Sequence, residues 1–239
     1  MNPNDLTEEA ARSVETGADR YHLRELQIAL DPTHPAHSLP KVNPGEKVLD
    51  IGCGAGQTLI AACPYRVSGE GGWCATCRRN DCPTWGHGID VDEQALKLGS
   101  QWTRRMILRL GDACHLPYGD AEFDLVVSRV ALVYTDLPRS VREMRRVLRP
   151  GGRIWLTMYP FYMVTRQCRG RNWKGLLYLA YVALNGVYFH FTLRTFALAG
   201  KRESWQTESA MRRLLQRAGF QDIRMDRSDR CFLVTAQAG

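Results

Sequence analysis

The sequence predicts an α/β fold in which a doubly wound, mostly parallel sheet carries helices on both faces. Three observations lead to this prediction. An apolar strand runs directly into a glycine-rich loop and a helix at residues 48–62, strand-like apolar segments recur along the chain, and helical segments separate them. This alternation is typical of parallel sheets, because a crossover helix brings each strand beside the next. A chain of 239 residues is long enough for one such domain.

The first strand and its loop read Val-Leu-Asp-Ile-Gly-Cys-Gly-Ala-Gly, from Val48 to Gly56. Because glycine has no Cβ, the alternating glycines allow a sharp turn and let a ligand approach the backbone. The next helix begins at Gln57, where the dinucleotide fingerprint requires its third glycine. Asp50 would repel a pyrophosphate and suits a ligand that carries an ammonium and a sulfonium. The loop therefore predicts a nucleoside-cofactor site and disfavours hydride chemistry.

The elements after the loop follow in the order expected of one nucleotide-binding sheet. Residues 88–92 predict a short second strand that ends in an acid, and Asp90 is the expected ligand of the ribose hydroxyls. Further strands are expected at 106–110, 123–128 and 148–157. Near the C-terminal end, a helix starts at Trp205-Gln206-Thr207 and stops at Ala218-Gly219-Phe220, and strands follow at 222–225 and 231–235.

These motifs resemble the class I S-adenosylmethionine-dependent methyltransferases, over residues 45–158 and more loosely at the C-terminal end. The resemblance implies a Rossmann-like sheet of about seven strands, with one antiparallel strand near the edge. It also implies that Asp112 lies near the adenine amino group of the cofactor. The S-adenosylmethionine contacts that we expect are Asp50, Gly52, Cys53, Gly54, Gly56, Asp90, Val91, Asp112, Ala113 and Ser128.

Composition and charge give the broad organisation. We expect a helical arm at 1–44 and a methyltransferase domain at 45–239, with a Cys-rich insertion at 66–87 and an apolar helical cap at 160–200. Residues 1–20 lack the features of a signal peptide, which predicts a cytoplasmic protein whose 8 cysteines are thiols or metal ligands. The net charge of +7 comes from scattered arginines. They indicate a solvated face, or attraction to nucleic acid or to an anionic membrane.

The insertion lengthens the interval between the glycine loop and the ribose acid by about 20 residues. It contains Cys74, Cys77, Cys82 and His87, and Cys63 lies just upstream. A segment so rich in glycine cannot build an apolar core, and tetrahedral Zn²⁺ would supply the missing folding energy. The spacing resembles a zinc knuckle in which the third and fourth ligands are exchanged.

We therefore expect a structural zinc on these four residues, with Cys63 as the alternative fourth ligand. Two alternatives stay open: an iron–sulfur cluster held by the four cysteines of this region, and a surface insertion that binds no metal.

The segment from Gly175 to Gly200 is almost continuously apolar. Asn185, His190 and Arg194 interrupt it, and both of its flanks return to one sheet, which argues against a transmembrane segment. We expect one or two helices that cap the active-site mouth or form a homodimer contact. The alternatives are a contact with a membrane surface and an apolar substrate pocket.

Methyl transfer gains chiefly from proximity and orientation, because a sulfonium is already an activated electrophile. The sequence therefore names no catalytic residue. Ser128-Arg129-Val130-Ala131 differs from the Asn/Asp-Pro-Pro-aromatic sequence of methyltransferases that act on the amino groups of nucleic acid bases, which disfavours that reaction. The candidate acceptor contacts are Tyr21, His22, Tyr134 and Tyr159.

The sequence thus predicts an enzyme that methylates a small, apolar or aromatic acceptor at oxygen, carbon or nitrogen. The alternative acceptors are RNA and protein, with Trp73, Arg78, Arg79 and Trp85 in contact with the substrate. A protein that binds the cofactor without turnover is the alternative outside the enzymes.

Overall fold

Helices and strands alternate along the described part of the computed structural model, which is residues 17–34, 37–64, 85–102, 105–158, 173–227 and 231–239. The helices are α1 (Gly17–Leu30), α2 (Gln57–Ala61), α3 (Glu93–Trp102), α4 (Leu137–Val147), α5 (Trp173–Thr192) and α6 (Glu208–Arg217), with a 3-10 helix at Ala131–Tyr134. The strands are β1 (Val48–Ile51), β2 (Gly86–Asp90), β3 (Met106–Leu110), β4 (Phe123–Arg129), β5 (Leu148–Met158), β6 (Phe220–Arg227) and β7 (Phe232–Ala238).

The strand order is β3-β2-β1-β4-β5-β7-β6 in a seven-stranded sheet. The pairs β1–β2, β2–β3 and β4–β5 are parallel, whereas β7 is antiparallel to both β5 and β6. The predicted α/β fold with a mostly parallel sheet of about seven strands is therefore confirmed. By its internal contacts, the chain divides into two compact units, Met1–Asp112 and Ala113–Gly239.

In the first unit, the N-terminal helix α1 packs on the element that follows the glycine loop. Leu26, Ala29 and Leu30 of α1 are buried in one cluster with Ala55 and Ile60. Burial of such side chains contributes about 25 cal/mol per Å² of apolar surface, so this cluster holds the helix against the loop.

The strand β2 ends two residues earlier than the sequence predicted. Residues 88–92 were expected to be extended, but the strand covers Gly86–Asp90. The physical reason is a local turn: the Asp90 carboxylate accepts a hydrogen bond from Asp92 N at 2.9 Å. Asp92 in turn accepts from Gln94 N at 3.0 Å and so caps the start of α3.

In the second unit, side-chain caps define where the helices begin. Asp136 accepts from Arg139 N at 3.5 Å at the start of α4, and Thr207 accepts from Ala210 N at 3.2 Å at the start of α6. Each cap satisfies a backbone N–H that has no partner within its helix. The predicted C-terminal helix and the two strands after it are all present.

Arg146 of α4 fixes the loop that leads into β4. Its guanidinium donates to the backbone oxygens of Leu116 and Tyr118 at 3.1 and 2.8 Å, and it pairs with Glu143 and Asp120 at 2.7 and 2.9 Å. Hydrogen bonds from Arg146, the largest effect, lower the pKa of the Glu143 carboxyl below its ordinary value. Residues 116–122 are thereby held on α4.

The apolar cap is represented by α5, which ends at Thr192. Residues 160–172 of the predicted cap lie outside the described residues. Among the helices of the described ranges, none is long and apolar enough to cross a membrane.

Candidate functional site

The glycine loop between β1 and α2 uses backbone conformations that favour glycine. Gly52, Gly54 and Gly56 have φ angles of 73°, 54° and 78°, in the left-handed region where a Cβ is strained. The backbone N–H groups of Gly52 and Cys53 donate to Ile89 O at 2.8 and 3.1 Å, which ties the start of the loop to β2. The loop therefore exposes backbone without side chains at the carboxyl end of β1.

Asp90, the predicted ribose ligand, lies at the end of β2 against this loop. Its Oδ2 accepts from Gly54 N at 2.7 Å, and its Oδ1 accepts from Asp92 N at 2.9 Å. A carboxylate has about four acceptor positions, so each oxygen keeps capacity for a further donor. The acid thus orients the loop and can still accept hydroxyl groups from a ligand.

Cys53, a predicted cofactor contact, turns its side chain into the core. A Cβ added at Gly88 of β2 would lie 2.6 Å from Cys53 Sγ, so glycine is needed at that position. Burial, followed by the charges of Asp50 and Asp90, raises the pKa of the Cys53 thiol well above its ordinary value. The thiol therefore stays protonated at neutral pH, and a ligand would meet the backbone of Cys53 and not a thiolate.

The other predicted cofactor residues of the first unit lie at the carboxyl ends of its strands. Asp50 is only 1% exposed within β1, whereas Val91 directly after β2 is 75% exposed. Asp112 is exposed after β3, and the preceding Gly111 N donates to Asp90 O at 2.9 Å. This backbone hydrogen bond joins the chain just before Asp112 to the end of β2 at Asp90.

His22 of α1 is placed directly on the glycine loop. Gln57 Nε2 lies 2.8 Å from His22 Nδ1 and donates to His22 O at 3.3 Å. A Cβ added at Gly54 would lie 3.1 Å from the imidazole ring. An amide nitrogen only donates, so the contact orients Nδ1 of the ring toward Gln57 as an acceptor. The sequence named His22 as a candidate acceptor contact, but its link to Gln57 was missed.

In the second unit, Ala113 and Ser128 are buried, and Ser128 pairs with Leu156 across β4 and β5. The chain leaves β4 at Val130, whose φ of 63° is unusual for a β-branched residue. The 3-10 helix that follows presents Tyr134, a candidate acceptor contact, about half exposed. Backbone strain of this kind often occurs at functional sites.

The same unit contains a polar cluster that sequence reasoning missed. Tyr178 of α5 donates a hydrogen bond to the Glu203 carboxylate. Burial and this hydrogen bond raise the pKa of the Tyr178 phenol above its ordinary value. Asn185, fully buried, donates to the backbone oxygens of Phe196 and Glu203 at 3.0 and 2.8 Å. These pairs join residues more than ten positions apart, and no local pattern signals them.

The predicted metal centre falls largely outside the described residues, which exclude Cys74, Cys77 and Cys82. The described ranges contain no group of three or more His, Cys, Asp or Glu side chains that could hold a metal ion. Of the remaining candidates, Cys63 is partly buried after α2, and His87 is buried within β2.

The candidate substrate contacts are only partly covered by the described residues. Tyr159, Trp73, Arg78 and Arg79 lie outside the described residues. Trp85, expected as a stacking surface for RNA, is only 3% exposed. This part of the RNA alternative was wrong, because a side chain so fully buried cannot stack on a base.

Comparison with known proteins gives a consistent picture. Residues 49–156 match the family model described as a methyltransferase domain. A demethylmenaquinone methyltransferase of Mycolicibacterium gilvum is 27% identical over 209 residues, which are 87% of this chain and 78% of the relative. Methyltransferase GfsG of Streptomyces halstedii is 36% identical over 120 residues, 47% of this chain and 37% of the relative.

Among solved structures, the fold is similar to a chain in the complex of the Haloferax volcanii Trm112 methyltransferase activator with a methyltransferase. The TM-score is 0.59 at 17% identity, and the match covers 98% of this chain and 97% of that chain. At this identity the similarity concerns the fold alone.

Proposed function

We propose that this chain transfers a methyl group from S-adenosylmethionine to a small, apolar or aromatic acceptor such as a quinone. The relatives named for demethylmenaquinone support this class of acceptor, since one of them aligns with 87% of the chain. A scan of small aromatic and quinone acceptors with radiolabelled cofactor tests it. Transfer to RNA or protein, with none to small molecules, would contradict it.

The observation that carries the proposed cofactor site is the contact between Asp90 and the glycine loop. The loop backbone is bare because of its left-handed glycines, and the carboxylate beside it keeps acceptor capacity for two ribose hydroxyls. We propose that the adenosine lies across Gly52 to Gly56, with Asp112 toward the adenine. The roles of Asp50, Val91, Ala113 and Ser128 stay predictions from the family resemblance.

The bound cofactor would supply a methyl group already activated on its sulfonium. The protein then has to hold the acceptor in line with that group and exclude water. We propose that His22 helps to place the acceptor, because its ring lies on Gly54 and Gln57 fixes its orientation. Tyr21 and Tyr134 are further candidates, each about half exposed.

Asp90→Asn tests the cofactor site. Both carboxylate oxygens accept from backbone N–H groups, so the new amide nitrogen would face a donor and could not accept from ribose. A lost hydrogen bond to a charged group costs about 1.5–3 kcal/mol, so the cofactor Kd should rise roughly 10- to 150-fold. Calorimetry measures it, and the melting temperature reports any damage to the fold.

Asp226→Asn is the matched control, because Asp226 is exposed on β6. Its affinity for the cofactor should equal that of the parent. Absence of cofactor binding by the parent, or an unchanged Kd in Asp90→Asn, would overturn the assignment.

We propose in addition that Cys74, Cys77 and Cys82 bind a structural zinc with His87 or Cys63 as the fourth ligand. The support is their spacing and the glycine-rich composition of the insertion.

A further inference from the structure

Helix α5 is apolar on two opposite sides, of which one is packed and the other is exposed. The packed side contains Leu179, Val182 and Phe189, all buried. Gly186 lets the Trp205 indole lie against the helix, because a Cβ there would come within 2.1 Å of Trp205 Nε1. This packing fixes the rotation of α5 and therefore determines which residues it exposes.

The exposed side is a continuous apolar stripe, which we call the outer face of α5. Its members recur at intervals of three and four residues, the spacing of one helix face. They are Trp173, Leu176, Leu177, Ala180, Leu184, Val187, Tyr188 and Phe191, all exposed. Phe191, for instance, is 74% exposed. A helix of 20 residues is about 30 Å long, and so long an exposed apolar surface marks an interaction site.

The charge pattern indicates what this face meets. No acidic residue occurs between Glu143 and Glu203 in the sequence. Lys174 lies at the start of the helix, and Arg194 and Lys201 follow its end in the sequence, all exposed. The helix thus combines an exposed apolar face with flanking positive charge, and α5 itself contains no carboxylate.

We propose that the outer face of α5 docks on the surface of an anionic lipid bilayer, with the helix axis in the plane of the membrane. Apolar side chains would enter the headgroup region, Trp173 and Tyr188 suit the polar–apolar boundary, and the cations would pair with lipid phosphates.

A second copy of the chain is a poorer occupant of this face. A two-fold dimer places identical surfaces against each other. Lys174 would then find no opposite charge on α5 of the second copy, because that helix contains no carboxylate. Anionic lipid supplies the opposite charge that the helix lacks.

Sedimentation of the full chain with vesicles tests the proposal without cofactor or acceptor, so its outcome is independent of the proposed reaction. We expect binding to vesicles of phosphatidylglycerol and phosphatidylcholine, weaker binding at high salt, and little binding to pure phosphatidylcholine. The double variant Leu177→Glu/Leu184→Glu should bind at least tenfold more weakly. Lys174→Gln and Lys201→Gln should each weaken binding to anionic vesicles about fivefold.

The matched control is Gln101→Glu/Gln216→Glu, which makes the same change in net charge at exposed positions of α3 and α6. It should stay within about twofold of the parent, because neither position belongs to the outer face of α5 and a change in net charge alone acts weakly through salt. Circular dichroism and cofactor affinity show whether each variant is folded.

Three results would overturn the proposal. The parent could fail to sediment with anionic vesicles, or the control could lose as much binding as the double variant. Analytical ultracentrifugation without lipid could also show a dimer that Leu177→Glu/Leu184→Glu dissociates, in which case a second copy covers the face.

Discussion

Gly99 of α3 allows the helix to touch the backbone of the glycine loop. A Cβ at this position would lie 2.6 Å from Ala55 O and 2.8 Å from Ala55 C, and 2.7 Å from Leu108 Cδ1. Real Cβ atoms do not approach other atoms so closely, so the substitution Gly99→Ala requires a shift. Because two of the three atoms belong to the loop backbone, that shift must move either α3 or the loop itself.

Two opposing effects determine the size of the change. Alanine in place of glycine favours a helix interior by about 1 kcal/mol, whereas overpacking of a tight core costs about 1–3 kcal/mol and sometimes more. A side chain can rotate away from a clash but a backbone carbonyl cannot, so the cost should lie at the upper end. We expect Gly99→Ala to lower the free energy of unfolding by about 1–2 kcal/mol and to weaken cofactor binding.

Urea denaturation followed by circular dichroism measures the stability, and calorimetry measures the affinity. Gly17→Ala is the matched control, since Gly17 is the first residue of α1 and nothing lies within 4 Å of the added Cβ. This control should be as stable as the parent or slightly more so. If Gly99→Ala gained stability like the control and bound cofactor normally, the close packing described between α3 and the loop would be refuted.

Two further predictions concern charge and metal. The pKa of the Glu143 carboxyl is lowered from its ordinary 4.5, mainly by a hydrogen bond from Arg146. The ionised carboxylate therefore stabilises the fold above pH 4.5, and this contribution is lost as the pH falls through the folded-state pKa. The free energy of unfolding of Glu143→Gln should therefore be about 1–2 kcal/mol below that of the parent at pH 7. Denaturation near pH 3 should show a much smaller difference between the two proteins. An equal difference at both pH values would contradict the ion pair. For the metal, we expect about one equivalent of zinc per chain by elemental analysis, and a chelator should lower the melting temperature of the parent but not of Cys74→Ser/Cys77→Ser. Metal-free parent protein with reactive thiols at both positions would exclude the site.

Local signals in the sequence predicted most of the fold. The strand β3 was expected at 106–110 and is found at Met106–Leu110, because a short apolar segment followed by glycine leaves little choice of bounds. The start of α6 was visible in Thr207, which caps the helix with its side chain. Signals of this kind lie within a few residues of the strand or helix whose bounds they determine, so they can be recognised from the sequence alone.

The contacts that arise from tertiary packing were not predictable. The bonds from Gln57 to His22 join residues 35 positions apart, and the β2 boundary shifted because the Asp90 carboxylate turns the chain toward Asp92. Trp85 was misassigned because a tryptophan side chain suits both stacking on a base and burial in a core. For Gln57 and Trp85 the deciding factor is which distant group the side chain meets, whereas for β2 it is a local hydrogen bond from Asp92 N to the Asp90 carboxylate.

The packing of α1 on the glycine loop has a consequence for motion. Leu26 and Leu30 share a buried cluster with Ala55 and Ile60, and Gln57 is tied to His22. Separation of α1 would expose the cluster and break these bonds at once, so the helix and the loop form one cooperative unit of local opening. Their amides should exchange with solvent in a single event, and an occupied cofactor site would slow the exchange of α1 as well as that of the loop.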